Sequence, residues 1–185
     1  NLRVFVSSWF HTSVPPCLCV EFKLTPIEED KYFIKLKFQL NKDWKEKSPH
    51  SIQNIIQGNT ISHPYHKDEN GALEKFDFIV SNPPFKLDFS DYRNDLECKE
   101  NKDRFFAGIP NIPKQAKDKM AIYSLFLQHI IFSLSKKGKA AVVVPTGFIT
   151  AQSGIDKAIR EKLVESKMLA GVVSMPSNIF ATTGS

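Results

Sequence analysis

The chain has 185 residues, 42% of them hydrophobic and 24% charged, the balance of a soluble globular protein able to bury a core. Its net charge of +5 admits a polyanionic partner without establishing one, because lysine-rich solvated surfaces are common. No apolar run is long enough to span a membrane, the first residues lack the layout of a signal peptide, and three cysteines are an odd count that argues against a disulfide framework; a reducing, cytoplasmic setting with no membrane partner is expected.

Residues 1–50 form an N-terminal segment that reads differently from the rest. Leu2-Arg3-Val4-Phe5-Val6 and the alternating residues 31–38 predict strands. Between them Cys17 and Cys19 sit in a proline-rich turn. No second cysteine pair completes a zinc site and Cys98 is remote, so they read as ordinary thiols. Residues 41–50 are polar and read as a linker.

From residue 51 the pattern becomes strand, helix, strand, helix, strand, which predicts an α/β fold with a mainly parallel sheet and flanking helices. Residues 52–57 are a short strand candidate, ended by Gly58-Asn59-Thr60. Residues 62–73 read as a polar loop with a turn at Asn70-Gly71. His63 and His66 belong to that loop, and the acidic residues near them lack the spacing of metal ligands. The apolar run Phe76-Asp77-Phe78-Ile79-Val80-Ser81 predicts a strand, with Asp77 an edge or structural polar residue by alternation. Residues 86–117 are long and polar, and Lys86, Arg93, Lys99, Lys102 and Arg104 are interleaved with acids. A solvated loop is the better reading of that stretch, a phosphate-contacting one the other. Residues 118–135 recur at helical spacing, with Lys136-Lys137-Gly138 as a basic end and glycine stop. Residues 139–145 are a near-continuous apolar run, as in a strand buried on both faces. A second helix is expected over 154–167 and another buried strand over 168–175.

The most informative stretch is Asn82-Pro83-Pro84-Phe85. A strand halted by two prolines places these residues at its carboxyl end, where open α/β sheets hold their active sites. An ordinary strand-ending turn would use the same residue types. The chemical reading is more specific: an amide oxygen and a freed backbone carbonyl can accept both hydrogens of an exocyclic amino group, and an aromatic ring beside them can stack on the base that bears it.

This tetrapeptide resembles the Asp/Asn/Ser-Pro-Pro-Tyr/Phe motif of amino-group methyltransferases that use S-adenosylmethionine. From about Gln57 to Ser185 the chain resembles the catalytic domain of the modification subunits of type I restriction-modification systems, which are adenine-N6 DNA methyltransferases. The resemblance rests on collinear elements. They are Gly58-Asn59-Thr60, the segment Phe76 to Phe85, Arg104-Phe105-Phe106-Ala107-Gly108-Ile109-Pro110, and Phe126-Leu127-Gln128-His129. They continue with Gly138 to Gly147, Ile159-Arg160-Glu161-Lys162-Leu163, Val172 to Phe180, and Thr183-Gly184.

The resemblance implies a Rossmann-like methyltransferase fold, residues 51–185 being the later part of the catalytic domain. It implies Asn82, Pro83, Pro84 and Phe85 as the catalytic residues, with Asn82 and Asn59 facing the cofactor S-adenosylmethionine. It implies double-stranded DNA as substrate, with a specificity subunit and a restriction subunit as partners. A non-catalytic assembly module, or an amino-group methyltransferase acting on RNA or protein, is the alternative.

The departures also matter. The family's glycine-rich turn upstream of the tetrapeptide has no counterpart, Gly58 being the first glycine, and Asn59 stands where the family usually has aspartate. The chain reads as a truncated domain without its main cofactor cradle. A parallel sheet lacking its first strands would leave an open edge, so either the N-terminal strands cover that edge or two copies self-associate across it. Tyr65, His129 and Arg160 read as packing or surface residues.

Overall fold

The structure, a computed structural model, describes residues 4–8, 20–22, 25–26, 32–33, 36–38 and 58–175, the strands before residue 58 as backbone alone. The expected strand 52–57, the Cys17/Cys19 turn, the linker 41–50 and the elements from Pro176 to Gly184 lie outside the described residues. The chain divides into two compact units, residues 1–8 with 75–185, and residues 9–74.

Five short strands come first: β1 (Val4–Ser8), β2 (Val20–Phe22), β3 (Thr25–Pro26), β4 (Tyr32–Phe33) and β5 (Leu36–Phe38). β2 pairs antiparallel with β5 and β3 with β4. The pairs Val20↔Phe38, Phe22↔Leu36, Thr25↔Phe33 and Pro26↔Tyr32 keep one register, so both ladders belong to a single hairpin alignment. Within the strand expected over 31–38, the described residues 32–33 and 36–38 are paired and share that register. Later in the same unit, Asp68 caps the predicted Asn70-Gly71 turn. Its Oδ1 accepts from Asn70 N and Ala72 N, each at 2.9 Å, and Gly71 takes a φ of +80°, a value glycine adopts without steric cost.

In the other unit β1, β6 (Phe76–Asn82) and β7 (Leu134–Val142) form a parallel sheet in the order β1-β6-β7. β1 runs beside β6 from Val4↔Phe78 to Ser8↔Asn82, so an N-terminal strand does cover the open edge. β6 is central, and the burial of Phe76, Ile79 and Ser81 follows from that position. The link from β6 to its parallel neighbour passes through helix α1 (Tyr123–Ser133), a strand-helix-strand crossover as parallel pairing requires. α1 is buried from Tyr123 through Ile130 without a break, more completely than an amphipathic surface helix. Ile130 packs with Phe76 and Ile79 against the sheet, while Tyr123 and Leu127 form a second cluster with Phe148 and Ile159.

The expected helix end at Lys136-Lys137-Gly138 is instead part of β7. Phe76 pairs with Leu134 and Phe78 with Lys139, two residues against five, so the chain bulges before the regular ladder of residues 139–142 begins. A Cβ on Gly138 would stand 2.8 Å from the Phe76 carbonyl oxygen, and only glycine allows that approach.

Two expectations about buried strands fail together. Residues 139–141 are exposed because β7 is the outermost strand of the described sheet. Residues 168–175 form no strand and are exposed, Val172 at 63% and Val173 at 73%. Apolar, β-branched composition favours a strand only where a neighbour supplies the ladder.

The helix expected over 154–167 is α3 (Gly154–Glu165), after the short α2 (Thr146–Thr150). Lys167, at φ +54°, closes α3. Its N–H bonds Val164 O at 3.0 Å, and Met168 N bonds Leu163 O at 2.9 Å, a Schellman motif with lysine where glycine is preferred. Among the described residues no helix is long and apolar enough to cross a membrane.

Replacing Lys167 with Gly should raise unfolding stability by about 1 kcal/mol by relieving the left-handed backbone. Gly138→Ala should lower it by about 1–3 kcal/mol through steric overlap. Urea unfolding monitored by circular dichroism checks both.

Candidate functional site

The site starts where the β6 ladder stops. Val143 N donates to Ser81 O at 3.0 Å; two residues on, Pro83 has no N–H to extend the strand. Pro83 is buried while Asn82 is exposed. Among the described residues the Asn82 side chain makes no hydrogen bond, and the Pro83 carbonyl accepts none from the backbone. Phe85 closes the loop, 36% exposed. The strand break thus sets these two acceptors and the Phe85 ring within one tetrapeptide at the carboxyl end of β6. Ser81 Oγ, just inside the strand end, is buried without a hydrogen-bond partner among the described residues.

The ring of Phe85 meets Tyr123 edge-on, with centroids 6.4 Å apart and planes at 77°. Tyr123 meets Phe148 in the same way, at 6.4 Å and 88°. Its hydroxyl donates to Asp156 Oδ2; burial, and then the Asp156 carboxylate, push the phenol well above its usual range. Four residues on, Arg160 donates to the carbonyls of Phe148 and Ala151 and so fixes α2 beyond the carboxyl end of β7. Arg160 is a packing residue, as expected.

Residues 86–117 correct the solvated-loop expectation. Phe89, Leu96 and Phe105 are buried in them, and so are Arg93 and Arg104. Arg93 donates to Pro110 O at 3.0 Å and Ile109 O at 3.2 Å, and pairs with Glu97 at 2.8 Å. Arg104 Nε donates to His129 Nδ1 at 2.9 Å; burial lowers the guanidinium to about 10, which leaves it charged at neutral pH. Gln128, fully buried, accepts from Ala107 N at 2.8 Å and donates to Gly108 O at 2.9 Å and Ser124 O at 3.2 Å. Arg104 and Gln128 fasten the loop from Arg104 onward to α1, and Arg93 ties residues 109 and 110 to its own turn. Lys86, Lys99 and Lys102 are exposed. Sequence reasoning gave no role to Tyr123, Asp156 or Gln128; the polar pair Gln128-His129 inside an apolar helical run was the signal available.

His129 is a packing residue too. Burial first, then the charges of Arg104 and Lys75, hold its imidazole down to about 3, so it is neutral and serves as an acceptor. Asp77 is structural, accepting from Ser135 Oγ at 2.8 Å. Tyr65 is a surface residue, 69% exposed. In the other unit, Asn59 Oδ1 accepts from Ile61 N at 3.0 Å and Ser62 N at 3.2 Å, an Asx turn that leaves its Nδ2 available. Among the described residues no three potential metal ligands cluster.

A strand-end tetrapeptide of this geometry, on a parallel sheet with a crossover helix, agrees with what comparison with known sequences finds. The model of the N-6 DNA methylase family matches residues 41–185. The chain belongs to that family. It is 30% identical over 116 residues to the type I restriction enzyme MpnII methylase subunit of Mycoplasma pneumoniae, covering 63% of this chain and 19% of the relative. It is 31% identical over 135 residues to the EcoEI methylase subunit of Escherichia coli, covering 71% and 23%. With the type II methyltransferase M.AccI of Acinetobacter calcoaceticus it shares 31% over 122 residues, covering 60% and 19%. The chain thus spans about a fifth of the length of these relatives.

The His129 environment sets a pH dependence. Its folded pKa lies below the unfolded value, so below about 6.5 the unfolded chain binds the extra proton and stability falls with pH, by up to about 1.4 kcal/mol per unit. Between pH 6.5 and 5, before carboxylates titrate, His129→Asn should flatten this slope; melting curves across the window measure it.

Proposed function

We propose that this chain carries the methyl-accepting half of an S-adenosylmethionine-dependent DNA methyltransferase acting on N6 of adenine. The observation that carries the reading is the pair of uncommitted acceptors, Asn82 Oδ1 and the Pro83 carbonyl, beside the half-open Phe85 ring. A parallel β6-α1-β7 crossover at the same strand end supports a Rossmann-like sheet around it.

The target adenine must leave the duplex, because its N6 is inaccessible in the stack. Phe85 offers a face for the extruded base, worth on the order of 1–3 kcal/mol. Asn82 Oδ1 and the Pro83 carbonyl accept the two N6 hydrogens, which turns the nitrogen lone pair out of ring conjugation. When bound, S-adenosylmethionine would supply an electrophilic methyl, its sulfonium S–C bond breaking to leave a neutral thioether. The proton leaves N6 for solvent water after the nitrogen has become cationic, so no strong base is needed, and the neutral, committed His129 is not asked to be one. Catalysis is then positioning and electrostatics. The relatives named as type I methylase subunits support a specificity subunit that reads the DNA and a restriction subunit as partners.

Calorimetric titration of S-adenosylmethionine, followed by transfer of labelled methyl to adenine-containing DNA, tests this. Asn82→Ala should lower turnover by about 10²–10³-fold with cofactor binding retained. Phe85→Ala should weaken the use of DNA by about 5–100-fold, the equivalent of one lost base stack. Absence of cofactor binding at millimolar ligand, together with no labelling of DNA, would make the chain an assembly module instead.

A further inference from the structure

We propose that Tyr123, anchored by Asp156, is a positioning residue that sets the ring of Phe85 for the extruded base; this rests on the reading of Phe85 as the stacking surface. Phe85 follows two prolines and is open to solvent over about a third of its surface, 36%. A base can stack on it only if the ring holds one orientation. Among the described aromatic contacts, the ring that meets Phe85 is that of Tyr123, itself only 7% exposed and so a wall to the site, not a second stacking face.

Tyr123 is held from three directions. It is the first residue of α1, its ring lies edge-on to Phe148 of α2, and its hydroxyl is tied to Asp156 of α3. Ring packing alone would need only phenylalanine. A buried hydroxyl loses its hydration and is tolerable only with a partner, and here the partner is a carboxylate whose helix also carries Arg160. One turn after Asp156, Arg160 holds the Phe148 and Ala151 carbonyls, so the same helix face fixes both Tyr123 and the Phe148 segment that flanks it on the α2 side. An edge-to-face contact depends on angle. Freeing the far end of Tyr123 therefore lets both it and Phe85 turn.

The test uses the complete chain and a single-stranded oligonucleotide carrying one 2-aminopurine among thymines, whose fluorescence is quenched by stacking. The wild type should quench it at saturation and Phe85→Ala should not. Tyr123→Phe and Asp156→Ala should each quench at least about threefold less than wild type, since the base–aromatic stack is the source of the signal. Asp156→Asn, whose amide oxygen can still accept the phenol hydrogen, should recover most of it. Lys157→Ala, on the exposed side of α3, should match wild type. Tyr123→Phe keeps the ring and the packing, so a change in its quenching with an unchanged circular dichroism spectrum separates positioning from folding. If Tyr123→Phe and Asp156→Ala quench like wild type while Phe85→Ala does not, the positioning role is overturned and the stacking surface stands. If Phe85→Ala equals wild type, both fall.

Discussion

The missing N–H of Pro83 is the constraint on which the rest of the site depends. β6 is the central strand, paired with β1 on one side and β7 on the other, and a central strand would ordinarily commit its backbone polar groups to its neighbours. Proline ends that commitment at a fixed place. Among the described residues the carbonyl of Pro83 then accepts no backbone hydrogen bond, the Asn82 side chain stands at the last pair of the ladder with β1, and Phe85 is delivered to the mouth of the strand ends. Pro83 itself is buried, so the break is packed in place.

Around this break the protein uses buried polar side chains as fasteners. Arg93, Arg104 and Gln128 direct their donors and acceptors mainly at backbone groups or at one neutral histidine. On α3 the half-buried Asp156 accepts the Tyr123 hydroxyl and Arg160 holds the Phe148 and Ala151 carbonyls. Each is costly to bury alone and tolerable once paired, so together they favour one arrangement of the long segment between β6 and α1. A loop of this length would otherwise lose much conformational entropy on ordering.

The sequence made the centre of the site legible and its surroundings much less so. Asn82-Pro83-Pro84-Phe85 could be placed at a strand end because proline acts locally: its effect on the ladder needs no knowledge of tertiary neighbours. The strand Phe76–Asn82 and the helices Tyr123–Ser133 and Gly154–Glu165 were readable from apolar periodicity for the same reason. Arg93 and Arg104 were misread as solvated because charge composition predicts solvent, and only tertiary carbonyls and an imidazole reverse that. The apolar residues 168–175 were misread as a strand because a strand also needs a neighbour, which periodicity cannot supply. Lys136-Lys137-Gly138 looked like a helix stop, whereas Gly138 is required by the nearness of the Phe76 carbonyl, a contact made across the sheet. The Tyr123–Asp156 pair joins residues 33 apart, and nothing in local spacing announces it.

Gln128 holds residues 107 and 108 through their peptide groups alone, and Arg93 holds residues 109 and 110 in the same manner. Such a grip is indifferent to much of what those residues carry beyond Cα. The path of the loop is therefore insulated from change in many of its own side chains, so its outward chemistry can vary while its backbone keeps its place on Gln128 and Arg93.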